Sequence, residues 1–524
     1  MGLFLGLDSS TQSLSAILID TATGQVVADR SLVFGHTLPA YGSPNGFLPN
    51  DDPAIKHSDP LMWVEALDRL LGELRQDGVD LGAVKGISGA GQQHGSVYLR
   101  QKLGKLGGWS SDTPLVDQVR PLLSRKTAPI WMDASTSRQC AEIAEVLGGD
   151  AEVVSITGSR AIERFTGPQI RKFFQQESAA WAETQEIHLV SSFMASLLIG
   201  GGAGIDLGDG AGMNLLSLAD ADWSPRMLDA TAPGLRERLP EVVASRRQVG
   251  EIARYFVEKY GFSAGTPVIA FTGDNPSSLV GMGATRPGVA VVSLGTSDTV
   301  FAAMAAPRTD PRGCGHVFGN PAGGFTSLIC FANGSLARER IATESGLDWD
   351  QFSAAILERT RPGNAKNLML PYFVPEMTPK VIEPQPRRFG SPEFVSGKDS
   401  AAAARAVVEA QALSMRLHSD WIGEVPDTIL VTGGASRNRG VLQVLADVFQ
   451  AELRPLQVKN SSALGGALRA AQAVEGSDWA ELSGHFCAPD ADLVATPAPG
   501  TRAVYDALGG EFERRLGELL AAHR

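Results

Sequence analysis

Cysteine is scarce in this chain. Only four occur in 524 residues (Cys140, Cys314, Cys330 and Cys487), far apart, with neither a CxxC pair nor a metal-ligand spacing. That excludes a disulfide-stapled scaffold and a thiolate metal centre, and it reads as reduced, mostly buried thiols in a cytoplasmic setting. Aromatic residues are few, at 7%. No long basic run offsets the acidic balance of 58 Asp and Glu against 46 Lys and Arg, a net charge of −12, so no nucleic-acid surface is expected. No membrane association is expected either. The N-terminal MGLFLGLD meets a charge at Asp8 and has no basic leader, and Gly6 stands where a myristoylation pattern wants Ser or Thr. There is no GxxxxGK[ST] loop, no GxGxxG over a lysine strand and no HExxH. A nucleotide site, if present, must be built from backbone amides, small hydroxyls and metal-placing carboxylates.

What remains is an ordinary globular composition, 43% apolar and 20% charged. The length calls for two domains of roughly 250 residues each. The chain is organised around residues 267–301. Val268 to Phe271 reads as a buried strand, and Asp274-Asn275-Pro276 reads as a helix start with Asn as the cap. Asp274 then sits at the positive end of a helix, which favours its ionised form. A second strand, Val289 to Leu294, runs into the small-residue turn Gly295-Thr296-Ser297-Asp298, whose amides can face an anion. A capping Asp and a plain hairpin explain the same residues. At the N-terminus, the strand Leu3–Leu7 ends in Asp8-Ser9-Ser10-Thr11 and is followed by strands Leu14–Asp20 and Gln25–Leu32. The two hairpins match in order and chemistry, which points to an internal duplication.

Further candidates follow in order. A helix starts at Ser58-Asp59-Pro60 with Trp63, Leu67, Leu70, Leu71 and Leu74 on one face. Val84–Ser88 leads into Gly89-Ala90-Gly91-Gln92-Gln93-His94-Gly95, which puts polar side chains at a strand end where α/β sheets bind ligands. Residues 103–121 read as a surface insertion, and 186–200 as a core helix. Arg164 reads first as a surface charge, with a donor to a polyhydroxylated ligand as the alternative. Asp206 and Asp209, three apart in a glycine-rich turn, raise a glycosidase pair or a calcium-loop fragment, with turn structure as the simpler explanation. Residues 375–399 read as a long loop. Thr428–Thr432 is a strand turning at Gly433-Gly434 into a helix capped by Ser436. A small-residue helix begins at Ser461, and a final helix runs from Arg502 to His523.

LGLDSSTQS (5–13), SGAGQQHGS (88–96), WMDAST (131–136), GSRAIERFTG (158–167), DGAGMNLL (209–216), FTGDNPSSL (271–279), SLGTSDT (293–299), CFANGSL (330–336) and TGGASRNR (432–439) run through nearly the whole chain in order. Together they resemble the FGGY family of carbohydrate kinases. The resemblance implies an α/β fold of two actin-like, ribonuclease-H-like domains (1–283 and 284–524) with an ATP cleft between them. It implies an ATP- and Mg²⁺-dependent kinase acting on a small sugar, D-xylulose, with another ketose or polyol as the alternative and a non-metabolic actin-fold ATPase as a distant one. The resemblance makes Asp274 the catalytic base and His94, Arg164, Asp274 and Asn275 the sugar contacts, which overturns the surface reading of Arg164. Asp8 would place Mg²⁺ and the γ-phosphate, with Ser10 and Thr11 beside it. Gly295, Thr296 and Ser297 would hold the phosphate chain, and Trp349, Gly433, Gly434 and Asn438 would border adenosine. A monomer and a homodimer are both compatible with this. Departures from the commoner bacterial pattern are Gln93 for Met in GQMHG, WMDAST for LWND-R, and LPYFVPEMTP (370–379) for LPYLSGERTP.

Overall fold

The structure, a computed structural model, describes residues 2–522. The chain divides into two compact units. The first comprises the residues up to Thr285 together with Val317–Thr326 and Lys459–Cys487. The second comprises Arg286–His316, Ser327–Val458 and the chain from Ala488 onward. A single cut at 283/284 therefore marks only the first crossing, because two later segments belong with the first unit.

In the first unit β1 (Leu3–Ser9), β2 (Ser13–Asp20) and β3 (Gln25–Val33) form an antiparallel meander. β4 (Val84–Gly91) runs parallel to β1, and β5 (Pro267–Ile269) runs parallel to β4. β1 is central, with Phe4, Leu5 and Leu7 fully covered, as a strand between two layers requires. One layer is the helix Pro60–Gln76, capped by the Asp59 side chain with Pro60 in its first turn. Its expected stripe of Trp63, Leu67, Leu70, Leu71 and Leu74 is buried. The other is Ser461–Glu475, the small-residue helix, which meets the sheet backbone to backbone. A Cβ on Gly6 would stand 1.9 Å from the Ala463 carbonyl oxygen, and one on Gly465 1.9 Å from that of Ser277. Asp8 and Thr272 both register with Ala90, so β1, β4 and the short strand Thr272–Gly273 end level with one another.

In the second unit β6 (Val289–Leu294) and β7 (Asp298–Met304) form the antiparallel hairpin, and β8 (Phe325–Phe331), which belongs to this unit from Ser327 onward, lies beside β7. β9 (Thr428–Thr432) is parallel to β6, and β10 (Glu452–Pro455) is parallel to β9. The order β8-β7-β6-β9-β10 repeats the order β3-β2-β1-β4-β5 of the first sheet. The internal duplication read from two hairpins thus extends through five strands of each sheet.

Several local expectations change. Residues 103–121 are no surface insertion: Leu103, Trp109, Leu115 and Val119 are buried in the same core as the Pro60–Gln76 helix. The segment 186–200 opens as a strand, Glu186–Leu189, paired with Ser96–Leu99, before the buried helix Val190–Ile199. Within 375–399, the short strand Arg387–Phe389 pairs with Leu368–Leu370, and Pro392–Val395 forms one helical turn. The last helix is Thr501–Ala522, and its expected end at His523 lies outside the described residues. Among the described residues no helix is long and apolar enough to cross a membrane.

Candidate active site

The level ends of β1, β4 and Thr272–Gly273 bring three polar turns of the first unit together. Asp8 closes β1. Its Oδ2 accepts from Ser10 Oγ at 2.5 Å, while its buried Oδ1 has no partner. Burial pushes this carboxyl up to about 6, against the Ser10 hydroxyl that lowers it. Thr11 is held from outside the turn, its Oγ1 accepting from Trp131 Nε1 at 2.8 Å.

After β4, His94 takes a left-handed backbone conformation (φ 69°), an uncommon state for a residue with a side chain and one that marks a constrained site. The ring stacks on Phe165 at 4.4 Å between centroids, and Nδ1 lies 2.7 Å from the Gly212 carbonyl. A carbonyl only accepts, so Nδ1 carries the proton and Nε2 is the ring's acceptor. Burial first, and then the Arg164 charge, bring the imidazole down to about 3, so His94 is neutral. Arg164 lies half-buried, its guanidinium 5.8 Å from the Phe165 ring.

Asp274 is the first residue of the helix Asp274–Gly281, and Gly273 is the cap. Asn275 is therefore not the cap and does other work. Its backbone N–H and its Nδ2 both donate to Asp274 Oδ1, at 2.8 and 3.2 Å, and Nδ2 also donates to Gln93 Oε1 at 2.9 Å. The expectation that the helix start keeps Asp274 ionised fails. Asp274 is half-buried by surface yet ringed by protein, and its carboxyl is pushed up to about 7, first by burial and then by Asp8. Desolvation outweighs the helix terminus because the terminal effect is worth at most ~2 kcal/mol.

Asp206 and Asp209 are both fully buried, which removes the glycosidase reading. Asp206 caps the turn Leu207–Gly210, accepting from the Asp209 N–H at 2.9 Å and from Ser245 Oγ at 2.6 Å. Asp133 is a loop staple. It accepts from the Lys56 and Ser135 amides and from Gln169 Nε2, and these bonds, with the His57 ring beside it, hold it below the usual carboxylate range despite burial.

The second unit holds a recess of about 750 Å³, lined among others by Gly295, Thr296, Ser335, Trp349, Gly434 and Asn438. That volume suits a ligand the size of a nucleotide. The turn after β6 is clamped: Ser335 N–H donates to the Gly295 carbonyl at 2.8 Å, and a Cβ on Gly334 would stand 2.7 Å from the Asp298 nitrogen. Asp298 lies in β7, not in the turn, and receives a bidentate, buried Arg338 at 2.7 and 2.9 Å. Gly433 has φ 92°, and a Cβ there would meet the Leu294 carbonyl oxygen at 2.4 Å, so only glycine fits. Asn438, not Ser436, caps the helix Arg439–Phe449. Its Oδ1 accepts from Val441 N–H at 3.1 Å and its Nδ2 donates to the Trp349 carbonyl at 3.3 Å. Trp349 is 47% exposed and braced edge-on by Phe352, leaving an indole face open. Ser297 and Gly433 do not line the recess themselves.

Sequence reasoning missed Gln93 and Arg338. The first is flagged only by its position among glycines, the second by nothing local.

Known proteins carry the same pattern. A sequence model described as the FGGY family of carbohydrate kinases, N-terminal domain, matches residues 3–281, and its C-terminal counterpart matches 290–474. A Mus musculus protein named xylulose kinase is 42% identical over 513 residues, covering 96% of this chain and 92% of that protein. Its Rattus norvegicus counterpart is 43% identical over 526 residues, covering 98% and 96%. The crystal structure of a xylulose kinase from Rhodospirillum rubrum superimposes with a TM-score of 0.82 over 100% of both chains at 22% identity, which establishes the shared two-domain α/β fold of actin-like type. The chain belongs to the FGGY family of carbohydrate kinases.

Proposed function

We propose that this chain transfers the γ-phosphoryl group of ATP to D-xylulose, giving D-xylulose 5-phosphate and ADP. The observation that carries this reading is the 42–43% identity to mammalian proteins named xylulose kinase over nearly the full length of both partners. In the transfer, the O5–phosphorus bond forms, the bond to the β-phosphate oxygen breaks, and the O5 proton passes to Asp274. A carboxylate near neutral pKa suits the task, because phosphoryl transfer needs alignment and charge neutralisation more than a strong base. On this reading the residues before 284 hold the sugar and those from 284 hold most of the nucleotide.

His94, Arg164, Asp274 and Asn275 bind the sugar, with neutral His94 accepting a hydrogen bond from a hydroxyl at Nε2. Ser10 and Thr11, with Gly295, Thr296 and Ser297, supply hydroxyls and amides to the phosphates. Trp349 stacks on the adenine, and Gly433, Gly434 and Asn438 shape its seat. The buried, unpartnered Oδ1 of Asp8 fits a hard divalent cation such as Mg²⁺, which keeps most of its waters and needs one or two carboxylates plus phosphate oxygens. That cation would neutralise the charge developing on the phosphates. We also infer a cytoplasmic protein from its four widely spaced cysteines, which show neither a CxxC pair nor a metal-ligand spacing.

The test is ADP release with D-xylulose, ribulose, fuculose, gluconate and glycerol in turn. D-xylulose is expected to give the highest kcat/KM. Preference for another sugar would make this a kinase for a different ketose or polyol. ATP turnover indifferent to every sugar would point to a non-metabolic ATPase.

A further inference from the structure

The turn Asp206–Gly212 supplies the carbonyl under His94, and it also reaches the junction that carries Asp274. Asp209 is fully buried: Oδ2 accepts from Ser191 Oγ, and Oδ1 has no partner. A Cβ on Gly273, the residue before Asp274, would stand 2.9 Å from that Oδ1 and 2.5 Å from Gln93 Cγ. Gln93 thus flanks the same glycine. Its Oε1 holds the Asn275 amide that grips Asp274, while its buried Nε2 has no partner. No side chain fits at position 273, so the junction is located by its neighbours.

We propose that Asp209 and Gln93 are positioning residues for the transfer step: both are set against Gly273, Gln93 is tied to Asp274 through Asn275, and together they fix the direction in which the Asp274 carboxylate meets the sugar hydroxyl. This rests on the reading of Asp274 as the base. Burial beside the carboxyls of Asp206 and Asp274 holds Asp209 well above the usual carboxylate range, so it keeps its proton and an amide can stand in for it. The charged groups around the cluster are Asp206 on the same turn, Asp274, Asp8 facing Asp274, and Arg469 facing Asp206. Misaimed by about 1 Å, a catalytic group loses about a hundredfold in rate while ground-state binding is spared.

The experiment is steady-state kinetics with D-xylulose and ATP on the full chain for Asp209→Ala, Asp209→Asn, Gln93→Met and Asp274→Asn, each checked for folding by thermal melting. Asp209→Ala is expected to lose about 30- to 100-fold in kcat, with the sugar KM within about threefold. Asp209→Asn is expected to recover at least about tenfold of that loss, and Gln93→Met to lose about tenfold in kcat. An Asp209→Ala enzyme that melts lower but turns over at the wild-type rate makes Asp209 a packing residue and overturns the proposal. An Asp209→Asn enzyme as slow as Asp209→Ala overturns it too, since shape would then not be what counts. If Asp209→Ala does not fold, wild-type kcat in Gln93→Met is the overturning result. Near-normal turnover by Asp274→Asn instead removes the base reading, and it is distinguishable because it appears in that variant alone.

Discussion

Replacing Asp274 with Asn should make the protein more stable and nearly inactive at once. The folded carboxyl titrates at about 7 against an ordinary value of 3.8. Between those values the native state holds a proton that the unfolded chain releases, so stability falls as pH rises from about 4 to about 7. Three units correspond to about 4 kcal/mol, and the solvent contact that Asp274 retains brings this to roughly 2–4 kcal/mol. An amide never ionises, and its remaining carbonyl still accepts from Asn275. At pH 8, without nucleotide or divalent cation, Asp274→Asn is therefore expected to melt about 3–6 °C above the wild type, the gain vanishing below about pH 4. Turnover, followed by ADP release, is expected to drop about 10²- to 10⁴-fold. A variant that melts no higher at pH 8, or gains the same amount at every pH, refutes the claim that burial strains this carboxylate. Normal turnover refutes its place in the chemistry.

Trp349→Ala should raise the KM for ATP about tenfold or more with little change in kcat, because base stacking is worth about 1–3 kcal/mol; an unchanged KM would remove the indole from the nucleotide seat. Arg338→Met leaves Asp298 buried without its partner and should cost about 3–5 kcal/mol in urea unfolding. A loss below about 1 kcal/mol would show that Asp298 simply takes up its proton. Gly281→Ala places a Cβ 1.9 Å from the Ser461 carbonyl oxygen, against backbone that cannot swing away. It should cost about 1–3 kcal/mol, and a wild-type melting curve would contradict that packing.

Strands, the duplicated hairpins and the sugar-facing turns were legible because short-range signals encode them: apolar runs for β1, β6 and β9, a small polar turn at the end of β1 and a glycine cluster at the end of β4. What was not legible depends on distant partners. Asp274 stands at a helix start, which locally favours charge, but its pKa is set by burial and by Asp8, more than 260 positions away. Asn275 was read as a cap by residue type, yet the preceding glycine takes that place while Asn275 joins Asp274 to Gln93. Residues 103–121 look like an insertion because Gly, Ser and Lys punctuate them. Their burial rests on Leu103, Trp109, Leu115 and Val119, of which only the last two stand at helical spacing. Arg338 and Asp298, forty residues apart, have no local signature at all.

The return of Lys459–Cys487 to the first unit bears on how the chain is made. After Thr285 leaves the ribosome, about 190 more residues (475 − 285) must follow before the helix Ser461–Glu475 is complete. At 5–20 residues per second that is roughly 10–40 s. During this interval the glycine-bearing face of β1 and β4, and the helix that carries Asp274, lack the surface on which they seat. A chain cut at residue 283 would keep Asp8, His94 and Asp274 in its sequence and would be an unfinished half, lacking the helix against which its sheet packs.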